Sequence, residues 1–206
     1  MNNYYLKKEV SNMKSHANEI TGFNPRILNE INRQFEFAEK TKDDILFVRF
    51  DIRFPAGVDP TNNERVNGAY RSFQTKFMKN LSRGGLEPQY VAVREESVDE
   101  PPHYHVALML DGQKAQTAQE HIQTAERLWE STLGLPAREN GYGLIRNCTT
   151  DHDGKMLPDG LLLRNDDSSA EQKRNDCVSQ ANQLAKNSDK GMAPKWQREF
   201  FSSRLP

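Results

Sequence analysis

The sequence predicts an α+β domain in which an antiparallel sheet is backed by helices in a ferredoxin-like arrangement, with an N-terminal helical appendage. Three observations carry that expectation. In residues 45–54, Leu46, Val48, Phe50, Ile52 and Phe54 alternate with Phe47, Arg49, Asp51 and Arg53, the pattern of a strand with one core face and one charged face. Strand patterns and amphipathic helical stripes then follow one another as β-α-β-β-α-β, with one more helix behind them. A chain of 206 residues with 35% hydrophobic content suffices for one substantial core.

Residues 1–43 form the appendage and 44–206 the domain. Within the appendage, Asn24-Pro25 starts a helix whose apolar positions Ile27, Leu28, Ile31 and Phe35 oppose Glu30, Arg33, Glu36 and Lys40. After the first strand, Pro55-Ala-Gly57 and Asp59-Pro60 turn the chain into a helix over about 62–81. That helix has the stripe Val66, Ala69, Tyr70, Phe73, Phe77 and Leu81, and Gly84-Gly85 stops it. Strands follow at Gln89–Glu95 and from His103 to Leu110, and Asp111-Gly112 makes a turn. A helix over 118–133 presents Ala118, Ile122, Ala125, Trp129 and Leu133. A fourth strand over 141–147, a polar loop, and a last helix over 169–186 with Val178, Ala181 and Ala185 on one face complete the elements.

Composition narrows the function. The net charge is −1, no apolar run reaches membrane-spanning length, and Met1-Asn-Asn-Tyr-Tyr-Leu-Lys-Lys lacks the apolar stretch of a signal peptide, so a cytoplasmic protein without a membrane partner is expected. Cys148 and Cys177 are too few and too far apart for a disulfide framework and read as free thiols.

The informative motif is His103-Tyr104-His105. Alternation along a strand sends both imidazoles to the side of Ala107 and Met109, while Tyr104, Val106, Leu108 and Leu110 take the other. On the preceding strand Glu95 shares a face with Val91 and Val93, and tight antiparallel pairing would set its carboxylate opposite the two rings. Two imidazole nitrogens and one carboxylate oxygen suit a divalent ion and leave positions for a phosphate oxygen or water. The plainer alternative is a half-buried polar face with no ligand.

The combination Val48-Arg-Phe-Asp-Ile-Arg-Phe54, Val93-Arg-Glu95 and Pro102-His-Tyr-His-Val-Ala-Leu108 resembles the HUH endonucleases that initiate rolling-circle replication. Within them it is most similar to inovirus (filamentous phage) replication proteins and their prophage and satellite relatives of the YagK/YfjJ type, from about residue 45 to the C-terminus. The resemblance implies a Rep-type HUH fold, Mg2+ or Mn2+ held by Glu95, His103 and His105, and single-stranded or hairpin DNA as partner. It also implies a third motif, Tyr-x-x-Lys on a helix, whose tyrosine forms a 5′-phosphotyrosyl link. The matching stretch is Asn182-Gln183-Leu184-Ala185-Lys186, where relatives usually read Ser-Tyr-Leu-Ala-Lys. Gln183 occupies the tyrosine position, and a carboxamide is not a nucleophile, so that covalent route is closed there. Lys186 remains available for a phosphate oxygen.

Other tyrosines fit the role poorly. Tyr142 sits between glycines in a strand, Tyr70 lies on a core stripe, Tyr104 faces away from the histidines, and Tyr4 and Tyr5 are in an end segment. Metal-dependent hydrolysis by water is the other catalytic route.

Because the whole chain is not basic, DNA binding requires a local patch. Arg49 and Arg53 on the first strand flank the metal motif. Arg65, Arg71, Lys76, Lys79 and Arg83 line the first domain helix, and the tail adds Lys190, Lys195, Arg198 and Arg204. Trp196, Phe200 and Phe201 are either base-stacking groups or, the favoured reading, a last core strand. Asp151-His152-Asp153-Gly154 lacks the full calcium-loop ligand series and reads as a polar turn. Three functions follow. The first is a DNA-binding protein of a phage, satellite or other mobile element that acts in replication initiation or its regulation without tyrosine nicking. The second is a nickase that uses water or another tyrosine, and the third is an interaction module for a host or phage protein.

Overall fold

The computed structural model describes residues 22–56, 63–95, 103–139, 141–186 and 198–206. The sheet runs β4-β1-β3-β2-β6, with strands β1 (Asp44–Ile52), β2 (Gln89–Glu95), β3 (His103–Asp111), β4 (Ile145–Asn147) and β6 (Phe200–Ser202). Strand β5 (Leu161–Arg164) also pairs with β1, and every pairing is antiparallel. Helices α2 (Asn63–Arg83) and α3 (Gln119–Leu133) alternate with the first four strands, so β1-α2-β2-β3-α3-β4 with strand order 4-1-3-2 is the split βαβ pattern expected of a ferredoxin-like domain.

Both faces of the sheet are covered. On one, Leu46, Val48, Phe50 and Ile52 of β1 and Tyr104, Val106, Leu108 and Leu110 of β3 pack against Tyr70, Phe73, Phe77 and Leu81 of α2 and Ala125 and Trp129 of α3. On the other, Ile45, Phe47, Val91, Val93, Ala107 and Met109 meet two more helices, α1 (Pro25–Thr41) and α4 (Ala170–Asn182), through Ile27, Ile31, Phe35, Ala38, Cys177 and Ala181. The appendage helix packs on the domain, as its apolar stripe predicts, and contributes to the second core, while residues 1–21 lie outside the described residues. Asn24 caps α1 by accepting from the Arg26 N–H, with Pro25 at the first helical position, where its missing N–H costs nothing.

The structure corrects four expectations. The second face of β1 is not simply charged: Ile45 and Phe47 are buried, and charge is confined to its C-terminal half. The fourth strand shortens to Ile145–Asn147, because Gly141 and Gly143 adopt φ of 65° and 67° and Glu126 takes the N–H groups of Tyr142, Leu144 and Ile145 in place of a strand neighbour. Strand β5 has no counterpart in the sequence prediction; it lies beside the first half of β1 and β4 beside the second half, so the two share one edge. The last helix ends at Asn182 and tightens into a 3-10 turn, Gln183–Ala185.

Gly112 closes the β3 turn against the start of β1, donating its N–H to the Asp44 carbonyl at 2.8 Å. A Cβ there would lie 2.9 Å from both Asp44 C and Ile45 N. Gly112→Ala is expected to lower stability by about 1–3 kcal/mol, read as a lower urea midpoint at an unchanged m-value.

Candidate metal centre

Three adjacent strands build the site. Antiparallel register sets Glu95 of β2 directly opposite His103 of β3, and Asp51 of β1 directly opposite His105. Alternation directs all four side chains to the α1/α4 face. Glu95 Oε2 lies 2.8 Å from His105 Nε2 and 3.4 Å from His103 Nε2, and the two rings meet edge to face with centroids 4.8 Å apart. The ligand atoms of Glu95, His103 and His105 all fall within 4.8 Å of one another, and all three residues are half-buried.

The sequence reading missed Asp51. Its Oδ1 sits 2.5 Å from His105 Nδ1, and the residue is only 7% exposed. The contact ties the Nδ1 side of the ring to a carboxylate and turns Nε2 toward Glu95, the arrangement in which an outer carboxylate orients a metal-binding histidine. A signal was present: Arg49, Asp51 and Arg53 share a strand face. What sequence lacked was the register of β1 against β3, which sets Asp51 opposite His105.

Burial alone would pull the His105 pKa down, but hydrogen bonds and charge from Asp51 and Glu95 outweigh it and raise the pKa to about 9. For Asp51 burial acts upward, and the His105 contact with the Arg49 charge overcomes it, so its carboxyl stays below the ordinary carboxylate value. Half-buried beside Asp51, the Cys148 thiol is pushed up to about 11 and stays protonated.

The opposite face holds the end of the β2–β3 hairpin in place. Arg94 and Tyr104 pair across the strands, and Asn67 of α2 accepts from both through Oδ1, at 3.0 and 2.9 Å. Tyr104 also stacks on Tyr70, with centroids 3.7 Å apart and planes within 7°. These contacts anchor the two residues next to Glu95 and His103 in the chain.

Other predicted residues scatter. Arg49 is half-buried on the site face, and Arg53 is exposed just past β1. Arg71, Lys76 and Lys79 are exposed on α2, which covers the other face, so the sheet separates them from the histidines. Arg198 is exposed ahead of β6 and acts electrostatically on Tyr90, whose side chain joins the α2/α3 core. Arg204 is exposed near the C-terminus, and Lys190, Lys195 and Trp196 lie outside the described residues, as do Tyr4 and Tyr5 and the side chain of Arg65. Phe201 is buried in β6, which pairs with β2, matching the favoured last-strand reading.

Gln183 is half-buried in the 3-10 turn, which touches β2. Lys186 follows in extended conformation, exposed and bridged to Phe23, not one turn further along a continuous helix. The described tyrosines Tyr70, Tyr90, Tyr104 and Tyr142 all pack with the α2/α3 core, away from the histidines. Asp151, His152 and Asp153 also gather in a loop, where Asp151 Oδ1 accepts from the Asp153 and Lys155 N–H groups as a polar turn does.

Fold and site together define a ferredoxin-like α+β domain with a two-histidine, one-carboxylate cluster on its sheet. The chain belongs to the YagK/YfjJ C-terminal domain family, which it matches over residues 6–201. It is similar to the catalytic domain of the Adeno Associated Virus type 5 Rep protein, with TM-score 0.37 and 12% identity over 66% of this chain and 97% of that one. No curated protein matches it. No helix among the described residues is long and apolar enough to cross a membrane.

Asp51→Asn is expected to weaken Mn2+ binding about 10–100-fold while leaving the fold intact, as read by calorimetry and circular dichroism. In metal-free protein, NMR should place the His105 titration near pH 9 and lower in the variant. Because that pKa lies above its ordinary 6.5, the proton stabilises the folded state fully below pH 6.5, and the contribution is lost as pH rises through about 9.

Proposed function

We propose that this chain is a DNA-binding protein of a phage, satellite or other mobile element. It carries a Rep-like HUH metal site and acts in replication initiation or its regulation without tyrosine-dependent nicking. The observation that carries the reading is the convergence of His103 Nε2 and His105 Nε2 on Glu95 Oε2, with Asp51 holding the second nitrogen of His105. Imidazole and carboxylate donors on one sheet face suit a divalent cation, and the motif resemblance to HUH endonucleases supports Mg2+ or Mn2+ on the same three ligands. When bound there, a divalent cation supplies Lewis-acid polarisation of a phosphoryl oxygen.

The residues around the cluster divide the remaining work. Glu95 and His103 come from facing positions of one hairpin, so a single backbone pairing sets their spacing. Asp51 fixes the orientation of His105 from the next strand. Gln183, at the position of the family tyrosine, offers a carboxamide that can donate and accept hydrogen bonds but cannot attack phosphorus. The packing of all four described tyrosines on the far side of the sheet favours binding over cutting. Closeness to inovirus replication proteins rests on the motif resemblance.

Purified protein with Mn2+ and labelled single-stranded or hairpin DNA is expected to give a mobility shift without cleavage. Replacing both His103 and His105 with Ala should abolish Mn2+ binding in calorimetry. A covalent protein–DNA adduct or released fragments would establish nickase activity instead, and absence of any shift would point to a protein partner from host or phage.

A further inference from the structure

We infer that Arg49 forms an anion subsite beside the cluster that receives a phosphodiester oxygen of single-stranded DNA. The inference rests on the metal-site reading and deepens it. Strand register sets Arg49 opposite Ala107, two residues from His105 on the same sheet face, and its charge acts on the neighbouring Asp51. The small Ala107 side chain leaves the guanidinium a neighbour of low bulk across the strand.

Its main chain is fully engaged. The Arg49 N–H donates to Thr149 Oγ1 at 2.9 Å, and its carbonyl accepts from the Cys148 N–H at 2.7 Å and the Thr149 hydroxyl at 3.3 Å. The head group is not. Nε is buried without a hydrogen-bond partner, and the guanidinium makes no ion pair with any described residue. The one carboxylate beside it on the strand, Asp51, is committed to His105 Nδ1 at 2.5 Å.

A buried guanidinium donor without a partner is unfavourable in a finished protein, because desolvation is not repaid. Charge points the same way. Glu95 and Asp51 bring two negative charges that one divalent cation would balance, so in the loaded site the Arg49 charge, which acts on Asp51, would be in excess among the described residues. The planar fork of arginine pairs well with phosphate oxygens, often through two parallel N–H bonds. A cation-binding cluster and an unmatched guanidinium on one face suit a ligand that carries several anionic oxygens, and the backbone of an unpaired DNA strand is such a ligand.

The test uses the full chain and a fluorescein-labelled 12-mer of oligothymidine, titrated by anisotropy in EDTA and again in Mn2+, with Mn2+ affinity measured separately by calorimetry. Arg49→Gln keeps much of the stem without charge, and Arg49→Lys keeps charge without the fork. Arg49→Gln is expected to weaken oligonucleotide binding about tenfold or more and to lower the salt slope by about 0.7, with Mn2+ affinity unchanged. Arg49→Lys should keep the slope and recover part of the affinity, and Lys40→Ala, an exposed charge on α1, should change neither. Wild-type oligonucleotide affinity in both Arg49 variants would overturn the inference, as would failure of the wild-type protein to bind the 12-mer in either buffer. Loss of Mn2+ binding in both variants would also overturn it, by assigning Arg49 to support of Asp51. Absence of Mn2+ binding in the wild-type protein, with oligonucleotide binding still weakened in Arg49→Gln, would sink the metal reading and leave the anion subsite standing.

Discussion

The site depends on one imidazole held between two carboxylates from different strands. His105 spans β1 and β2 from the strand between them, with Asp51 on Nδ1 and Glu95 on Nε2. Such a contact forms only if three strands pair in the right register. A one-residue slip of β1 or β2 would send its carboxylate to the α2/α3 core and leave His105 without that partner. The ferredoxin-like strand order thus makes the chemistry possible, because it places the first strand of the unit beside the third.

The two faces of the sheet do different work. The α2/α3 face carries the aromatic packing of Tyr70, Tyr104, Phe73 and Trp129 and the Asn67 contacts that pin the hairpin end. The α1/α4 face is apolar along the first half of β1 and polar toward its end, so the functional groups sit where the second helical layer stops covering the sheet. That gradient within one strand explains how Phe47 is sealed while Arg49 keeps partial access to solvent two residues on.

Local periodicity made much of this legible. Period-two alternation in β2 and β3 assigned Glu95, His103 and His105 to one side, and helical stripes located α2 and α3 to within two residues. Asp51 escaped because its role arises from a pairing between residues 54 apart in sequence, which no local pattern encodes. Strand β5 escaped because four residues after a polar loop show too little periodicity to register, and its partner edge is shared with β4. The covered second face of β1 escaped for a related reason: Ile45 and Phe47 share the face of Arg49 and Asp51, so the alternation alone reads that face as charged, and only the docking of α1 shows that its first half is used. Separation of the α2 basic residues from the histidines was equally invisible, since a charge count carries no information about which face a helix covers.

Pulsed electron paramagnetic resonance on the Mn2+-loaded protein addresses the central claim at the level of the ligand atoms. Couplings from two histidine nitrogens, both lost when His103 and His105 are replaced by Ala, are the predicted result. A Mn2+ spectrum with oxygen ligands alone would contradict the account.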